Sequence, residues 1–203
     1  MRKVAKVAAL AAVFVLGGLA GHIVPVRNAN AVSLSDRAQK HFAVVTVKHL
    51  RPVFDKDGHP MVDALGKPLM REISSQKIHN TITTVGRDFI HTQSYGTSPA
   101  ANGLNWIALS NDSLTENSAS TTLSNEIAAN GLTRAQGTVV HNTSATTTTV
   151  SKTFTCSTSS QAAQKAALFT ASSSGTMNHV LAFTQRTLQV GDQLAITFTI
   201  TIS

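Results

Sequence analysis

Residues 191–203 read GDQLAITFTITIS. From Leu194 onward the apolar residues Leu194, Ile196, Phe198, Ile200 and Ile202 alternate with Ala195, Thr197, Thr199 and Thr201. A period of two, with branched residues on both sides, predicts a strand with one buried face and one wet face. The five apolar side chains are the expected core of that strand. Threonine opposite them keeps the β-branched backbone preference while tolerating water. Val190, Gly191 and Asp192 supply the turn that precedes it.

The same rhythm recurs upstream. LTRAQGTVVHN (132–142), TTTTVSKTFTCST (146–158), KAALFTAS (165–172) and MNHVLAFTQRTLQV (177–190) all alternate, and turn-like joints separate them. LNWIALSND (104–112) reads as a further strand carrying the single tryptophan, Trp106. HFAVVTVKHLRPVF (41–54) reads as another, followed by a tight turn at DKDG with Gly58 at positive φ. HPMVDALGKPLMREI (59–73) is expected to form a second hairpin arm with its own turn at LGKP. Two segments read differently. Ile78, Ile82, Val85, Phe89 and Ile90 recur at spacings of three and four and predict a short amphipathic helix. TTLSNEIAANGL (121–132) predicts one or two helical turns stopped at Asn130-Gly131. Short strands at regular spacing imply a mainly β fold, an antiparallel β-sandwich or small jelly roll with one or two short helices.

The chain of 203 residues carries a net charge of +7, unevenly spread. Residues 1–31 hold Arg2, Lys3, Lys6 and Arg27 and no acid; residues 92–203 hold four bases and four acids. No element clusters Lys and Arg as a nucleic-acid footprint requires, so no nucleic-acid partner is expected. The first 31 residues have a basic start, an apolar run from Val7 to about Ala20, and small residues at Ala29 and Ala31. That is the pattern of a signal peptide cleaved between Ala31 and Val32. The run is short for the ~20 residues of a spanning helix, and retention as a membrane anchor is the alternative. Membrane contact is expected only through residues 1–31, if uncleaved. The expected domains are therefore this segment, a charged hairpin region over 32–76 and a β-sandwich over 77–203. The location expected is secreted, on an extracellular surface or a virion.

The motifs for chemistry are few. Cys156 is alone, so no intrachain disulfide can form, and in TFTCST it reads as a small buried hydrophobe. Asp55, Asp57 and Asp63 resemble the opening of a calcium loop, but the later oxygen ligands and the closing Glu are missing. The sequence contains no G-x-S-x-G, P-loop, G-x-G-x-x-G or H-E-x-x-H. No enzymatic activity and no cofactor are expected. Asn111-Asp112-Ser113 and Asn142-Thr143-Ser144 are glycosylation triplets in predicted loops.

The order of NWIALSND, TTLSNEIAANGLTRAQGTV, KAALFTASSSGTM and VGDQLAITFTITI resembles a β-rich module in virion structural proteins of tailed phages and archaeal viruses. IHNTITTVGRDFIH at 78–91 is similar to a segment that often precedes it. The resemblance covers about residues 77–203; Ala167 stands where that module has glycine and Phe198 where it has tryptophan. It implies a structural or attachment role, and the signal-like start points to a cell-surface or membrane-virion version. The leading expectation is a non-enzymatic coat, decoration or attachment subunit, partnered by its own copies, by other structural subunits, or by a cell-surface glycan or receptor. A self-polymerising filament subunit donating residues 31–50 to a neighbour's sheet is an alternative. A secreted carbohydrate-active enzyme or binding module is another.

Overall fold

A computed structural model of the chain describes residues 41–95, 103–115, 117–143 and 145–202. Ten strands and one helix follow in order: β1 (His41–Pro52), β2 (Met70–His79), β3 (Thr81–Ile82), α1 (Thr84–Tyr95), β4 (Trp106–Ser110), β5 (Ala135–Gln136), β6 (Thr138–His141), β7 (Thr147–Thr155), β8 (Gln161–Phe169), β9 (Met177–Leu188) and β10 (Gln193–Ile202). They form two five-stranded antiparallel sheets, β2-β1-β10-β7-β6 and β3-β9-β8-β4-β5. The class is the β-sandwich that the alternation implies.

The closing stretch is central to the first sheet. β10 pairs with β1 from Leu194 opposite His49 to Ile202 opposite His41, and with β7 on its other side. Leu194, Ile196, Phe198 and Ile200 are buried and join a core with Val45 and Val47 from β1, Phe154 from β7, Ile107 from β4, and Leu168 and Leu181 from β8 and β9. This shared core joins the two sheets. Ile202 departs from the expected set: it is 53% exposed. It continues the alternation, but it lies at the sheet's end, past the last residues that the second sheet covers.

β8 breaks the period of two. Lys165 to Thr170 are buried without interruption. A register shift between Ala163 and Lys165 flips the later residues, so that Ala166 and Leu168 face the main core and Ala167 and Phe169 face a second one. That second cluster, with Leu123, Met177 and Val180, lies on the outer face of the second sheet. Both faces of β8 are covered, and strands covered twice carry apolar runs rather than alternation.

Three expectations are corrected. The boundary at 76/77 cuts through β2, and β1 and β2 are two of the five strands of the first sheet, so the described residues from His41 to Gln76 are no region apart from the sandwich. The predicted helix begins only at Thr84; Ile78 and Ile82 lie in β2 and β3. Between those strands the chain passes from one sheet to the other. Asn80 holds this crossing, its Oδ1 accepting the Ala43 amide at 2.9 Å. Apolar residues on two successive strands happened to mimic a helical spacing. Finally, 121–132 is not helical. Asn125, Asn130 and Gly131 all take positive φ, and Glu126 bridges Ser110 beside β4. Left-handed residues so close together leave no room for an α-helical turn.

Candidate functional site

Every buried ion pair in the described residues closes a piece of the sandwich. Asp192, in the turn before β10, is 1% exposed. Its carboxylate accepts the Nε2 proton of His49 at 2.8 Å, two guanidinium contacts from Arg51, and the Gln189 amide at 3.0 Å. Desolvation pushes its pKa up, but the hydrogen bonds from Arg51, Gln189 and His49 outweigh this and hold it down to about 2. The hydrogen bond to Asp192 raises the pKa of Arg51 in turn. The cluster locks the end of β1 to the β9–β10 turn.

Cys156 lies alongside. Its amide donates to the Asp192 carbonyl at 2.9 Å, and its thiol donates to the Ser159 carbonyl at 3.0 Å. Burial and the nearby Asp192 charge push the thiol pKa up, away from the thiolate a nucleophile needs.

On the outer face of the second sheet, Lys165 of β8 is 1% exposed and meets Asp112 at 2.7 Å. The Lys165 hydrogen bond and the Leu114 amide lower the pKa of Asp112. Asp112 lies two residues past the end of β4, so the pair staples the strand's exit to its neighbour. Arg134 makes a paired contact with Glu126, donates to the Ala171 and Ser174 carbonyls, and lies 3.6 Å above the Phe169 ring. It ties the β8–β9 turn to the segment before β5.

The outward chemistry is of two kinds. The open face of the first sheet carries a row of Lys77, Thr46, Thr197, Ser151 and Thr138 in register across β2, β1, β10, β7 and β6. A shallow cleft of about 310 Å³ on it is lined by Gln136, Thr138, Ser151, Thr153 and Thr197 among others. The second surface is the excursion between β1 and β2. Residues 54–61, FDKDGHPM, and 62–69, VDALGKPL, repeat one pattern: apolar, Asp, two free positions, Gly, one free position, Pro, apolar. Asp55 Oδ1 accepts the amides of Asp57 and His59, and Asp63 Oδ1 accepts those of Leu65 and Lys67. Gly58 and Gly66 take φ near +80° in the matching turns. Val53, Met61 and Leu69 join through backbone hydrogen bonds at the root. The result is a stiff three-cornered arm. The repeated D-x-x-G-x-P spacing was a readable signal that the strand reading passed over.

The calcium-like acids are thus divided between two turns, and Asp55 and Asp63 each commit an oxygen to backbone amides. Among the described residues no three His, Cys, Asp or Glu side chains gather where a metal could sit, and no helix is long and apolar enough to cross a membrane. Asn111 and Asn142 are exposed; Ser144 of the second triplet lies outside the described residues. Residues 1–31 and the cleavage pair Ala31 and Val32 also lie outside them. No family model, curated protein or solved structure matches this chain.

Proposed function

We propose that this chain is a non-enzymatic structural subunit of an outer surface, a coat, decoration or attachment protein of a virion or cell envelope. One observation carries the reading: Asp192, Asp112 and Glu126 are each spent on latching strands and turns together. What the fold turns outward is a hydroxyl-rich sheet face and a stiff apolar arm, surfaces suited to contact rather than turnover. The resemblance to virion β-modules and the signal-like start agree with this role. In the filament alternative residues 31–50 would be donated, yet β1 is paired on both sides within its own chain.

The test is surface labelling and shaving of intact particles or cells. An antibody against residues 41–202 should decorate the outer surface, and external protease should remove the epitope without lysis. Recovery of the protein only as a free species with saturable turnover of a glycan or peptide would overturn the proposal.

A further inference from the structure

The arm over 54–69 holds five of the eleven large apolar side chains that the described residues leave exposed. Phe54, Met61, Val62, Leu65 and Leu69 lie on it, and Leu65 at its tip is 81% exposed. No buried core lies within it; its shape comes from the paired Asp turns and the backbone bonds at its root. Where the arm meets the sandwich, Pro52, Phe54, Pro60, Pro68, Met70 and Val190 line an apolar groove of about 270 Å³. A protruding leucine therefore stands at the arm's tip, and a groove able to hold a side chain of that size lies at its root, shared with β1, β2 and the turn before β10.

We infer that this arm joins two copies of the chain across a twofold axis, each copy seating Leu65 in the other's proline-lined groove. A twofold contact demands a self-complementary surface, and a knob at the arm's tip with a hole at its root provide one. The exposed apolar side chains of the arm and Val190 offer on the order of 600 Å² per copy, comparable to the largest apolar patch of a typical monomer and approaching the ~800 Å² per partner of a stable interface. The arm's turns and root are already hydrogen-bonded before contact, so little ordering cost opposes association. It leaves the first sheet at the end opposite His41 and Ile202, since β1 runs from its pairing with Ile202 toward the turn at Gly191. Pairing through it leaves the chain's entry at His41 free. The inference rests on the reading of the chain as a structural subunit and names its contact.

The test uses the full chain in mild detergent, with mass followed by light scattering across concentration. The native chain should dimerise, and Leu65→Asp should weaken the dimer by ~30-fold or more, the loss expected of a central anchor. Leu65 is exposed, so this variant keeps its fold and its circular dichroism. A Leu65→Cys copy mixed with a Val190→Cys copy should cross-link on oxidation. If the native chain associates and Leu65→Asp associates equally well, the arm contact is wrong while the subunit reading stands. If the native chain stays monomeric at every concentration, the arm contact is likewise overturned, and surface labelling alone then decides the wider role.

Discussion

The Phe198 ring is buried in the core between the sheets, whereas Thr199 next to it stands on the open face. Phe198→Ala should therefore cost ~3–5 kcal/mol, the range for removing a buried ring, while Thr199→Ala should stay within ~1 kcal/mol. Urea titration of both variants checks the difference. Asp192 gives a pH prediction. Its folded pKa of about 2 lies below its ordinary value of 3.8, so the unfolded chain binds its proton more readily. The stabilisation, on the order of 2 kcal/mol, is complete above pH ~4 and disappears as pH falls through ~2. Asp192→Asn should therefore flatten the acid limb of the stability curve between pH 4 and 2 as well as lower stability at neutral pH. An unchanged acid limb would show that the latch does not act through this carboxylate. Gly86 is a steric case. A Cβ there would lie 2.6 Å from the Cα of Asn178, whose side-chain amide donates to the Gly86 carbonyl. Gly86→Ala should push α1 off β9 and lower the melting temperature, although alanine is the better helix former.

At the scale of elements, β10 fills the middle of its sheet, between β1 and β7. Truncation after Val190 removes that strand and the Asp192 latch together, and leaves two neighbours with open edges. With typical domains holding only ~5–15 kcal/mol in total, the truncated chain should not fold, and its circular dichroism and one-dimensional NMR spectrum should show this. A truncated chain that keeps its sandwich would mean that the last strand serves a partner. The alternation of β10 was legible because one of its faces is covered and the other open. The run in β8 was not, because a bulge reverses its faces midway and a second cluster covers its outer side.

The whole molecule couples its two sheets through one core, and β1 and β10, far apart in sequence, lie side by side in one of them. Trp106 stands in the second sheet and is the only tryptophan. Its fluorescence should therefore follow the same unfolding transition as far-UV circular dichroism, and Phe198→Ala in the first sheet should shift both equally. Two separated transitions would show that the sheets unfold independently. Long-range antiparallel pairing of this kind also favours slow folding, on the millisecond-to-second scale.

The sequence alone determined the class of the fold and the inward set of its closing strand through Ile200, because side-chain alternation follows directly from backbone geometry. It also determined the turns at Gly58 and Gly191, where glycine relieves a positive φ. Tertiary structure decided what local pattern cannot encode. It placed β1 and β2 inside the sandwich, since pairing with β10 depends on residues some 150 positions away. It turned 121–132 from a helix into a looped segment with two turns, since Glu126 finds its partners on Ser110 and Arg134. It enclosed Asp112 and Asp192 against Lys165, His49 and Arg51, because a buried carboxylate persists only where the fold brings it compensating donors.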